Sequence, residues 1–137
     1  MSSVYAQLFV HLVWATSERR PLISEEVEPR LLSCMRAKCE ELGCRCIAAG
    51  AADDHVHVLV SYPTSVAVAT LAGQLKGASA HLANRVLGYD GAFAWQVGYG
   101  AFSVSRRSLD TAAAYVLGQR RHHAECTTYA DLERCGD

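Results

Sequence analysis

The period of the apolar pattern changes several times along this chain, and each change marks an element. Residues 4–15, Val-Tyr-Ala-Gln-Leu-Phe-Val-His-Leu-Val-Trp-Ala, are rich in β-branched and aromatic side chains and predict a first strand, with a turn around Pro21 after it. From Ser24 the spacing becomes helical, with Ser24 as N-cap, glutamates in the first turn, Pro29 early enough to cost little, and Gly43 as the stop. Residues 44–49 predict a short strand, Asp53 and Asp54 a turn, and 55–62 the second arm of a hairpin closed by Pro63. The apolar stripe Val68, Leu71, Leu75, Leu82 and Val86 predicts a helix over 65–87, with Lys76, His81 and Arg85 on its polar side. Two short strands over 92–97 and 100–105 follow, bounded by Gly98 and Gly100, and then a last helix from about Ser108 that contains Tyr115. The order β-α-β-β-α-β, then a further strand and helix, predicts an α+β fold with an antiparallel sheet covered by two helices on one face. At 137 residues, without linker, repeat or low-complexity tract, the chain reads as one domain over 1–137.

The strand over 55–62 carries the first candidate chemistry. His55 and His57 are two apart, so they share a face while Val56, Val58 and Val60 pack oppositely, and two adjacent imidazoles can hold one metal ion. Further on, Tyr115 and Gln119 are four apart, which on a helix puts a phenol and an amide on one face. Taken singly these are weak signals. His-x-His is short and common, and a helical tyrosine is more often a packing residue than a nucleophile.

Their order and surroundings add specificity. His11-Leu-Val-Trp14 with Arg19-Arg20-Pro21-Leu22-Ile23, Asp54-His-Val-His57, Leu75-Lys76-Gly77-Ala-Ser79, the stretch from Trp95 to Ser105, and Tyr115-x-x-x-Gln119 leading to His122-His123 together resemble the HUH single-strand DNA endonucleases. Within that group they resemble the single-tyrosine transposases of the insertion-sequence 200/605 family, close relatives of the REP-associated tyrosine transposases. The resemblance spans nearly the whole chain and implies a ferredoxin-like sheet. It implies Tyr115 as the nucleophile that forms a 5′-phosphotyrosine, and a divalent metal, Mg2+ or Mn2+, held by His55, His57 and Gln119. It also implies a single-stranded DNA partner with hairpin ends, and a homodimer with composite active sites. By softness alone, two imidazoles and an amide suit zinc or another transition ion. His11 and His81 read as structural or solvent-facing, and His122 and His123 as touching DNA or covering the helix end.

Charge refines this picture. A formal net charge of −1 argues against a protein that coats nucleic acid by bulk electrostatics, but residues 55–109 hold Lys76, Arg85, Arg106 and Arg107 against Asp90 alone, while residues 18–54 hold eight of the fourteen carboxylates. These four cations, with Arg19 and Arg20, are the candidate DNA contacts, although solvated surface charge is the blander reading of each. Arg120 and Arg121 make a further basic pair. No apolar run approaches a membrane span and no signal peptide opens the sequence, so the expected location is the cytoplasm, where Cys34, Cys39, Cys44, Cys46, Cys126 and Cys135 would be reduced packing residues. Cys39, Cys44 and Cys46 could supply part of a zinc site, but their spacing is irregular and no fourth ligand is evident.

Two departures from the family pattern stand out: Ala80-His81-Leu-Ala follows Lys-Gly-x-Ser where an arginine-rich run is expected, and little chain follows Leu132. A hairpin-binding relative that does not cut and a metal-binding module unrelated to DNA are the competing readings. The presence of all four of His55, His57, Tyr115 and Gln119 weighs against both.

Overall fold

Four strands, β1 (Phe9–Ala15), β2 (Arg45–Ala51), β3 (His55–Ser61) and β4 (Gly100–Ser103), form an antiparallel sheet in the order β2-β3-β1-β4. The structure is a computed structural model and describes residues 3–124 and 128–136. Its helices are α1 (Glu28–Glu41), α2 (Val68–Arg85), α3 (Leu109–Leu117) and α4 (Gln119–Ala124). None is long and apolar enough to cross a membrane.

Strand alternation divides the sheet into two faces. Val10, Leu12 and Trp14 of β1 and Val56, Val58 and Val60 of β3 point one way, into a buried core with Leu31, Met35 and Cys39 of α1 and Leu71, Ala72 and Leu75 of α2. Burying each of the larger of these side chains stabilises the fold by roughly 1.5–3 kcal/mol. The α+β fold with two helices on one face is therefore as the sequence predicts. The opposite face, bearing His11, Val13, His55, His57 and Leu59, receives α3 through Val116, which packs with Ala48 and Leu59.

Local signals explain most boundaries. The Ser24 hydroxyl accepts from the Val27 amide at 3.2 Å in the turn that leads into α1, and Gly43, at φ +78°, ends the helix with Cys44 N donating to the Cys39 carbonyl at 2.8 Å. Three expectations change. The first strand begins at Phe9 rather than residue 4, because its partner β3 ends at Ser61, and Val4 and Tyr5 are exposed.

Residues 92–97 form no strand and make a single bridge, Thr16 with Trp95. Their backbone groups are satisfied otherwise. The Asn84 amide accepts from Gly91 N and Phe93 N and donates to the Phe93 carbonyl, while Lys76 Nζ donates to the carbonyls of Gln96 and Gly98. Finally, the last helix breaks at Gly118, so Tyr115 and Gln119 lie on α3 and α4.

Cys34, Cys39, Cys44, Cys46 and Cys135 are free thiols, and Cys126 lies outside the described residues. Among the described residues, Cys39, Cys44 and Cys46 form no group close enough to hold a metal. The Cys39 thiol is pushed up by its hydrogen bond with Cys46 and by burial.

Candidate active site

The site grows on the sheet face that α1 and α2 leave free. His55 and His57 project from β3, and His11 of β1 joins them diagonally across the strand pair, with ring centroids 5.2 Å apart for His55 and His57 and 4.9 Å for His57 and His11. All three are buried, none more than 2% exposed. Their outer nitrogens are bound. His55 Nδ1 lies 2.8 Å from Asp54 Oδ1, and His57 Nδ1 lies 2.7 Å from His11 Nε2.

Gly50 of β2, the cross-strand partner of His57, sets the height of the layer above. A Cβ there would stand 2.0 Å from the Val116 carbonyl oxygen, so α3 can rest backbone on backbone against the sheet only because position 50 has no side chain. This brings Tyr115 over the histidines, 5.8 Å ring to ring from its own chain's His57. Beyond the Gly118 break, His122 stacks on Tyr115 at 4.8 Å and His123 approaches His55 to 4.5 Å. Arg120 fastens α4 in this position, with Nε 2.6 Å from Glu28, Nη1 2.5 Å from Asp53 and Nη2 2.9 Å from the Ile23 carbonyl.

The residue at the centre is one that sequence reasoning missed. Glu133 comes from segment 128–136, which lies directly on β4 because a Cβ at Gly100 would stand 1.8 Å from the Arg134 carbonyl oxygen. Its Oε1 lies 3.1 Å from His55 Nε2, 3.2 Å from His57 Nε2 and 3.1 Å from His123 Nε2, while Oε2 accepts from the Tyr115 hydroxyl. That hydroxyl accepts in turn from the Tyr129 amide at 3.0 Å. Nothing in the sequence marks Glu133, and His11, which opens the first stretch of the resemblance and alternates with Leu12 and Trp14, reads there as structural or solvent-facing.

The electrostatics follow from this packing. Burial disfavours charge on Glu133, but His55 and His57 more than reverse it and hold the carboxyl well below the usual range. Burial, then Glu133, pushes the Tyr115 phenol up. Burial, then His57, lowers His11 to about 4. Burial also lowers His57 against the pull of Glu133, whereas for His55 the pull of Glu133 and Asp54 overcomes burial and the pKa rises.

The donors suit a divalent cation. One ligand atom each from His55, His57 and Glu133 lies within 4.8 Å of the others. The 3.1 and 3.2 Å separations approach the roughly 3 Å between adjacent ligands of an octahedral ion with bonds of about 2.1 Å. Two of the unpaired buried atoms are acceptors that a cation could take. Among the described residues, three buried side-chain atoms lack a hydrogen-bond partner: Trp14 Nε1, His55 Nε2 and Gln119 Oε1. His55 Nε2 is near Glu133 but off the hydrogen-bonding direction, and the Gln119 amide nitrogen is engaged with the Tyr115 carbonyl at 2.9 Å. An orphaned buried acceptor costs about 1–3 kcal/mol, and a cation is a partner both atoms can take.

The predicted DNA contacts are dispersed. Arg19, Arg20, Arg85, Arg106 and Arg107 are exposed, and Arg19 stands at the site's rim, 3.7 Å from Asp54. The Lys76 ammonium, lowered by burial, supports the loop over 92–99. His81 is exposed, as expected.

An antiparallel sheet offering paired histidines to a tyrosine on an overlying helix is the class of fold and site that the HUH resemblance implies. The chain belongs to the family described as transposase IS200 like, matched over residues 4–119. It is 33% identical over 69 residues to the transposases for insertion sequence element IS200 of Salmonella typhimurium and Salmonella typhi, a stretch that is 50% of this chain and 45% of each relative, so the chain aligns with less than half of their length. In fold it is similar to a candidate transposase from Deinococcus radiodurans R1, with a TM-score of 0.70 at 24% identity over 88% of this chain and 96% of that one. It is also similar to a REP-associated tyrosine transposase bound to a REP hairpin, with a TM-score of 0.63 at 12% identity over 90% and 74%.

Proposed function

We propose that this chain is a transposase that cuts and rejoins single-stranded DNA at hairpin-marked ends through Tyr115, acting in the cytoplasm as a homodimer. The observation that carries the reading is that one carboxylate, Glu133, reaches the Tyr115 hydroxyl and the Nε2 atoms of three histidines at once. A phosphate has a similar span, so a scissile phosphodiester that displaces Glu133 meets the nucleophile on one side and the imidazoles on the other. Tyr115 Oη then attacks phosphorus, the bond to the 3′ oxygen breaks, the phenol loses its proton and the departing 3′ oxygen gains one. The phosphotyrosine conserves the energy of the link, so a 3′-hydroxyl can reverse the step.

A phenol pushed above its ordinary range is a poor nucleophile unless positive charge accompanies the reaction. A divalent cation, Mg2+ or Mn2+, held by His55 and His57 with Gln119 as oxygen donor, would supply that charge once DNA has displaced Glu133. His122, stacked on the Tyr115 ring, restrains its orientation. Arg19 and Arg20, with Arg85, Arg106 and Arg107, hold the DNA backbone, whereas Lys76 acts by holding its loop. The hairpin-bound fold neighbour supports a hairpin substrate.

Incubating the chain with hairpin-bearing single strands in Mn2+ and resolving products under denaturing conditions tests the reading. A covalent protein–DNA adduct is expected, absent in Tyr115→Phe, in His57→Ala, with chelator and on blunt duplex. An adduct that persists in Tyr115→Phe would remove the assigned nucleophile.

A further inference from the structure

We infer that His11 and Asp54 are the positioning residues of this metal centre, each fixing through Nδ1 the tautomer in which one ligand imidazole presents its Nε2 lone pair. The inference rests on the reading of His55 and His57 as ligands. A neutral imidazole carries one N–H, so it can ligate through Nε2 only with its proton on Nδ1, and that proton needs an acceptor if the ring is buried.

The two rings meet this need differently. His55 Nδ1 is 2.8 Å from Asp54 Oδ1. An ionised carboxylate only accepts, so the proton belongs to Nδ1 and the lone pair to Nε2, the atom left without a hydrogen-bond partner. Asp54 is in turn placed by its neighbours: its backbone carbonyl accepts from Thr16 N at 2.8 Å and from Thr16 Oγ1 at 3.2 Å, and Arg19 Nη1 stands 3.7 Å from its carboxylate. His57 has no carboxylate behind it. Its Nδ1 is 2.7 Å from Nε2 of His11, a neutral ring buried between β1 and α3 with Phe102 and Tyr115 at 5.8 and 6.3 Å. Two tautomer pairs satisfy this hydrogen bond. In one, His11 donates and His57 turns an N–H toward Glu133 Oε1. In the other, His57 donates, His11 accepts, and the His57 Nε2 lone pair faces the centre. Ligation selects the second, and His11 can accept because its own proton moves to Nδ1. A phenylalanine would fill the same space and could not accept.

Titration of the full chain with Mn2+ by calorimetry, without DNA, distinguishes an acceptor from a packing residue. His11→Phe and Asp54→Ala are expected to bind Mn2+ about 10–100-fold more weakly than wild type. His11→Gln and Asp54→Asn, which restore an acceptor oxygen, should recover most of the loss, and thermal melts of the metal-free variants identify any that fail to fold. Since the two positions lie on different segments, Asp54→Ala tests the inference even where His11→Phe does not fold. Wild-type affinity in the folded Phe and Ala variants overturns it, as does Asp54→Asn binding as weakly as Asp54→Ala. Should His57→Ala leave Mn2+ affinity unchanged, the ligand assignment itself fails, a result separable from failure of the positioning role.

Discussion

Burial first, and then its hydrogen bond to Glu133, raises the Tyr115 phenol, and the same bond adds to the hold of His55 and His57 on the Glu133 carboxylate. Replacing Glu133 by Gln keeps the shape and removes the charge. The Tyr115 phenol is then expected to titrate lower, closer to its ordinary value of about 10, in an ultraviolet titration with Tyr115→Phe as the blank; an unchanged titration would show that burial alone raises it. His11 makes the metal-free chain sensitive to acid. Its folded pKa of about 4 lies below the ordinary histidine value of 6.5, so between these values the unfolded chain binds more protons. The stability is present above pH 6.5 and is lost as pH falls toward 4, by at most about 3 kcal/mol, with His55 opposing because its shift is upward. The melting temperature of the metal-free chain should therefore fall between pH 7 and pH 4.5, and His11→Phe should flatten that fall.

At the scale of elements, the height of α3 is set by Gly50 and the course of segment 128–136 by Gly100, both through backbone contacts that one methyl group would break. Gly50→Ala should move α3, and with it Tyr115, off the histidines. Overpacking of this kind costs about 1–3 kcal/mol, so the variant is expected to fold with a lower melting temperature while adduct formation falls by at least tenfold; adduct at the wild-type rate would show that α3 does not depend on this contact. These same contacts mark the limit of what the sequence discloses. The histidine strand, its hairpin and α1 are legible because period and turns are local signals, as Gly43 shows, although Ser24 holds the turn before α1 and Val27, not Ser24, is its N-cap. Residues 92–97 read as a strand because Phe93 and Trp95 have strand propensity, yet Asn84 and Lys76 satisfy their backbone from outside the segment. Glu133 is illegible for a related reason: what places it is the absence of a side chain at Gly100, more than thirty residues away.

At the scale of the whole molecule, Tyr115 and the histidine pair come together within the one chain described. The resemblance implies a tyrosine exchanged between subunits, whereas here Tyr115 stands over its own chain's His57, with Arg120 tying α4 to Glu28 and Asp53. Mixed dimers of Tyr115→Phe with His57→Ala are thus expected to form no adduct, since each subunit keeps its own defect; adduct from verified heterodimers would show exchange. The two-faced sheet has a further consequence. Along β1 and β3 the even-numbered positions, 10, 12, 14, 56, 58 and 60, belong to the core, and the odd-numbered positions include His11, His55 and His57. Stability and chemistry are written in the same strands on alternate residues. An alanine scan of the two strands should therefore separate by parity: even positions lower the melting temperature with metal affinity kept in whatever folds, and the odd-numbered histidines lose metal affinity with a smaller change in melting.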